Sequence, residues 1–209
     1  MAIVAAHSVA SFFSEAVEDS IRSRRLEATD GATRYIVALL ADYAHPAGLT
    51  GETLERPLTL LFDEAVHAPD AADRFERLRA LGDGVLYGCG FFGDHFESRG
   101  VDRKYLHAIG TRAYESAGVM LRRHPAREPH DGGPESAGLD LFGELASKFA
   151  AFVEIVSDVA DGSIAMGAET ARGLVKAYER WLKTGSERLA SALTAQGVVP
   201  TRGPKGILQ

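Results

Sequence analysis

Residues 81 to 95 read Leu81-Gly82-Asp83-Gly84-Val85-Leu86-Tyr87-Gly88-Cys89-Gly90-Phe91-Phe92-Gly93-Asp94-His95. The flanks of this stretch have helical periodicity, yet each interior glycine weakens a helix by about 1 kcal/mol relative to alanine. A helix here survives only if close approach of its backbone to something else returns that energy. On a 3.6-residue repeat, Glu76, Arg79, Asp83, Tyr87, Gly90, Asp94 and Glu97 form one narrow stripe, and apolar or glycine residues cover most of the remaining circumference. The pattern predicts a nearly enclosed central helix. Gly84 and Gly88, one turn apart, are the candidate flat patch for a crossing helix or for a planar ligand, with Asp83, Tyr87 and Asp94 beside them.

Outward from that stretch the chain reads as helix throughout. Val9, Phe12, Phe13, Ala16, Val17 and Ile21 predict a first helix over residues 8 to 27. Thr29-Asp30 caps a second, which His45-Pro46 ends, because the residue before a proline is pushed out of helical geometry. Pro57 starts a third helix, stopped by Ala68-Pro69. The glycine-rich fourth runs from Asp70 to Arg99, with Gly100 as its left-handed end, and Asp102 caps a fifth through Met120. Residues 124 to 138 carry prolines, glycines and charges without periodicity, which predicts a flexible loop and the one candidate boundary. Phe142 to Val159 form the clearest apolar stripe, Leu174 to Leu182 another, and a short helix capped by Ser186 closes at Gly197. No run alternates with a period of two. The expectation is an all-α fold, a single-domain bundle of six to eight helices over residues 1 to 200, with a mobile tail at 201 to 209.

The chain has 209 residues and a formal charge of -6. Its basic residues are scattered, and the Arg22-Ser23-Arg24-Arg25 cluster stands where a helix end favours cations, so no nucleic-acid footprint is expected. The single cysteine, Cys89, excludes an internal disulfide. No segment reaches the ~18 uncharged apolar residues of a membrane span, and the first residues lack a basic leader, which together predict a cytoplasmic protein.

Chemical motifs are sparse. Glu64-Ala65-Val66-His67 has the Glu-x-x-His spacing of di-iron bundles, but a second copy is missing, so no metal is expected. His67 reads instead as a helix C-terminal residue. Asp83 and Asp94 are eleven helical residues apart, about 16 Å, too far to flank one bond. Were their stripe to face inward, Arg34, Arg112 or Arg180 would be the counter-ions; a solvated face is the simpler reading. Cys89, in an apolar run, would have a raised pKa and be a poor nucleophile.

Leu81-Gly82-Asp83 is similar to part of the glycine-bearing helix of heme oxygenases, a resemblance that implies a planar heme-type ligand and an axial histidine, for which only His7 is available. A broader set resembles a group of all-helical proteobacterial proteins without an established activity. It comprises residues 81 to 92, Tyr105, Gly110, Ala113-Tyr114, Phe142, Glu144-Leu145, Phe149, Phe152, Tyr178 to Trp181 and Thr184 to Ser186. That resemblance implies a bacterial helical protein and no particular chemistry.

The residues thus lead to a non-enzymatic protein, without a cofactor or catalytic residues, that acts through protein contacts as an adaptor, regulator or self-associating subunit. Phe149, Phe152, Tyr178 and Trp181 are the candidate interface, because their aromatic surface exceeds what a small bundle must bury. A homodimer is the expected form. The alternative is a bundle, either a binding protein or an enzyme, that takes a small hydrophobic or heme-type planar molecule beside Gly84 and Gly88.

Overall fold

The computed structural model describes residues 9–44, 56–123 and 136–202. Among them are nine α-helices, one 3-10 turn at Gly167–Glu169, and no strand. The helices are α1 (Val9–Arg24), α2 (Asp30–Tyr43), α3 (Leu58–Val66), α4 (Ala71–Ser98), α5 (Arg103–Arg123), α6 (Ser136–Ser147), α7 (Phe149–Met166), α8 (Ala171–Thr184) and α9 (Glu187–Ala195). The fold is all-α. Two compact units divide the chain, residues 1–156 and 157–209.

Local chemistry sets most helix ends. Thr29 caps α2 through its hydroxyl, which accepts from the Ala32 amide at 3.2 Å. Asp70 caps α4 by accepting from the Asp73 amide at 3.0 Å. Gly100, Gly185 and Gly197 have φ of 74°, 69° and 78° just beyond the ends of α4, α8 and α9, where glycine carries no Cβ penalty. The stripe from Phe142 to Val159 is shared by α6 and α7, which meet at Lys148. Helical hydrogen bonding continues past the junction, from the Lys148 amide to Glu144 at 2.9 Å and from the Phe152 amide to Lys148 at 3.0 Å. That division raises the helix number to nine. Helix α6 begins at Ser136, inside the segment expected as loop; residues 124–135 lie outside the described residues, as do His7 and the tail from 203 on.

In the first unit α4 is central, packing on α2, α3 and α5, while α5 also packs on α6. Every residue from Leu81 to Gly90 is buried, Gly84 and Gly88 included. Gly82 is where an aromatic ring touches the helix. A Cβ there would stand 2.6 Å from Cδ1 and Cε1 of Tyr114, so the ring lies directly on the backbone of α4. Gly110 of α5 does the same for the ring of Phe149, with which a Cβ would collide. Past the buried segment α4 kinks at Phe92, whose φ of -125° and ψ of 21° leave helical space.

This packing corrects the expected aromatic surplus. Phe149 and Phe152 are core residues, the latter with no exposed surface, and Trp181 is buried too. Glycines in α4 and α5 do not leave rings uncovered. They remove the Cβ atoms that would hold the rings away.

In the second unit Ala168, Ala177, Trp181, Leu189 and Leu193 form a core, against which Leu174 and Tyr178 are partly buried. Arg180 and Asp161 are both buried and joined by a 2.8 Å hydrogen bond from Nε. Thr201 and Arg202, expected as mobile tail, are docked. The Tyr178 hydroxyl donates to the Thr201 carbonyl at 3.1 Å, and the Arg202 guanidinium stands 5.5 Å over the Trp181 ring.

Candidate functional site

Two features of the first unit concentrate polar groups against an apolar background. The first surrounds Asp83. The residue is only 6% exposed, so it does not belong to a solvated face. Tyr35 of α2 donates its hydroxyl hydrogen to Oδ1 at 2.6 Å, Tyr114 of α5 donates to the same oxygen at 2.8 Å, and Arg79 reaches Oδ2 at 3.4 Å. The counter-ion is therefore on the same helix, one turn earlier. Arg180, proposed from sequence, pairs with Asp161 instead.

Burial is the strongest influence on the Asp83 carboxyl and raises its pKa; the two phenols and Arg79 pull it back, leaving it at about 6. Tyr35 and Tyr114 are raised as well, by burial first and then by the carboxylate they face. Both phenols stay protonated donors. An aromatic cluster carries the network onward, with Tyr35 and Tyr114 edge-on or tilted to Phe142 at 5.8 and 5.9 Å. Three helices are tied at one carboxylate.

Tyr87 stacks on Phe91 at 4.6 Å and lies against Tyr43 at 4.6 Å, on the stretch leading to the kink. Tyr43 neighbours both Tyr87 and the Asp83 carboxylate, whereas Asp94 stands past the kink. Cys89 is buried, which pushes its thiol up to about 12 and leaves it unreactive. Burial, aided by Arg103, lowers the His107 pKa, so the ring is neutral and packs edge-on to Phe149 at 5.8 Å. Glu64 is engaged by Arg56 at 2.5 Å, and His67 is the C-cap of α3. Among the described residues no three His, Cys, Asp or Glu side chains converge as metal ligands.

The second feature is a cleft of about 480 Å³ between α3, α4 and α5. Val66 of α3 forms one wall. Arg74 and Leu78, one turn apart on α4, form another, and Arg112, Glu115, Ser116, Val119 and Met120 of α5 complete it. Met120 also borders an adjoining pocket of about 390 Å³ lined by Asp70, Ala71, Ala72, Phe75 and Leu121. Sequence reasoning missed this cleft, apart from naming Arg112 as a possible counter-ion. Its signal is faint: arginine followed by leucine at i+4 on one helix, and arginine followed by serine and methionine at i+4 and i+8 on another. Such spacing occurs on any helix whose face is half covered.

Among the described residues no helix is long and apolar enough to cross a membrane. No protein-family model, curated protein or solved structure matches the chain.

Proposed function

We propose that the protein is a non-catalytic helical binding protein whose receptor is the cleft between α3, α4 and α5. One observation carries this reading: the cleft's volume, about 480 Å³, falls within the ~300–1,000 Å³ of small-molecule sites, and apolar side chains from three helices line it. Among the described lining residues Ser116 is the only hydroxyl, and none is a histidine, lysine or cysteine that could activate a nucleophile. The lining favours holding a molecule over transforming one.

A panel of amphipathic small molecules tested by thermal melting checks the reading. Binding to the folded state raises Tm, and Ser116→Trp, which fills the cleft, should abolish the rise while the variant still melts cooperatively. A panel without any stabilising compound would count against a small-molecule receptor.

The protein-contact reading keeps a narrower basis. Val175 and Leu182, two turns apart on α8, are 58% and 43% exposed, an uncovered apolar edge on which a second copy or another protein can pack. Light scattering over a hundredfold concentration range tests self-association. A monomer throughout would end the dimer.

A further inference from the structure

We infer that the occupant of the cleft is a monoanion with an apolar tail, a carboxylate on an alkyl or aryl chain, whose head is held by Arg74 and Arg112. This inference rests on the cleft being a small-molecule receptor. What points to an anion is the contrast among the described arginines of α4 and α5. On α4, Arg77 is paired with Asp73 at 2.8 Å, and Arg79 with Glu76 at 2.7 Å and Asp83 at 3.4 Å. On α5, Arg103 lies between Glu97 at 3.3 Å and Glu154 at 3.6 Å. Arg74 and Arg112, the two that line the cleft, form no ion pair among the described residues. Arg112 has Glu115 one turn away and does not engage it.

Among the described lining residues the charges are therefore two guanidinium groups and one carboxylate, an excess of one positive charge. Asp70 borders the adjoining pocket, but one of its carboxylate oxygens is occupied by the Asp73 amide at the start of α4. Beyond the cations the surface is apolar. Val66 and Val119 are exposed on the walls, Leu78 lies at the base, and Met120 leads to Phe75 and Leu121. A guanidinium fork matches a carboxylate bidentately, and an unbranched thioether accommodates tails of varied shape.

Calorimetric titration with octanoate, octanamide and acetate separates the parts of this inference. Octanoate should bind, with acetate and octanamide at least about tenfold weaker, since one lacks the tail and the other the charge. Arg74→Gln and Arg112→Gln should each weaken octanoate about tenfold and leave octanamide unchanged. Glu115→Gln should tighten octanoate, because it removes the one opposing charge. Equal binding of octanoate and octanamide, insensitive to both arginine variants, would overturn the anion while leaving the receptor in place. Binding of neither at millimolar concentration by a cooperatively melting protein would overturn both.

Discussion

Tyr114 donates its phenolic hydrogen to Oδ1 of Asp83 across 2.8 Å, and the same ring lies flat enough on α4 to occupy the space a side chain at residue 82 would need. One residue of α5 thus satisfies the buried carboxylate and seals the glycine beside it. The hydrogen bond and the missing Cβ belong to one contact.

Tyr114→Phe should keep the ring and lose the donor. Oδ1 retains Tyr35, so the carboxylate is partly deprived, at a cost of about 1–3 kcal/mol by denaturant unfolding. Combined with Asp83→Asn, which removes the charge that made the donor valuable, the loss should be less than additive. Strict additivity would mean that the two side chains are not coupled.

The Asp83 carboxyl sits at about 6, above the ordinary aspartate value near 4, so the folded state keeps a proton that the unfolded state has released. Its contribution to stability is present below pH ~4, is lost as pH rises toward ~6, and is constant above. Relative to the parent, Asp83→Asn should therefore gain on the order of 1–3 kcal/mol between those pH values. A difference curve that is flat from pH 4 to 7 would exclude Asp83 as the titrating group.

Gly82→Ala and Gly110→Ala should each destabilise by about 1–3 kcal/mol, since the added methyl meets the rings of Tyr114 and Phe149 and overpacking outweighs the ~1 kcal/mol gained in helix propensity. Gly93→Ala is the control. Its Cβ would meet nothing nearer than Arg103 Nη2 at 3.9 Å, a flexible end, so it should be neutral or stabilising. Chemical denaturation of the three variants decides, and a stabilised Gly82→Ala would refute the close contact.

Arg180→Ala strands Asp161 in the core of the second unit and should cost about 3–5 kcal/mol, read as a lowered melting temperature. Trp181→Ala and Phe152→Asp should likewise unfold the protein rather than split an oligomer, because both side chains are buried within the protomer. Light scattering run beside the melt distinguishes the outcomes: a folded species of halved mass would contradict the burial.

By itself the sequence determined the helices and most of their limits. Thr29, Asp70, Gly100, Gly185 and Gly197 act on backbone groups within a few residues, and helical periodicity is likewise a short-range property. It also determined that the glycine-rich helix is enclosed, since no solvated helix gains from so many missing side chains. The tertiary structure alone decided which face carries what. Asp83 reads as a surface carboxylate until Tyr35, 48 residues earlier, and Tyr114, 31 residues later, are brought to it. Phe149 and Phe152 read as surplus aromatic surface until Gly110 is seen to admit the first of these rings against its backbone. The cleft belongs to the same class: Arg74 and Arg112 are ordinary helical arginines in the sequence, and only the meeting of three helices leaves both beside one apolar hollow, with no carboxylate of the described chain paired to either. Caps and periods are local, whereas burial and charge pairing depend on which distant segments share a volume, and that is fixed by packing.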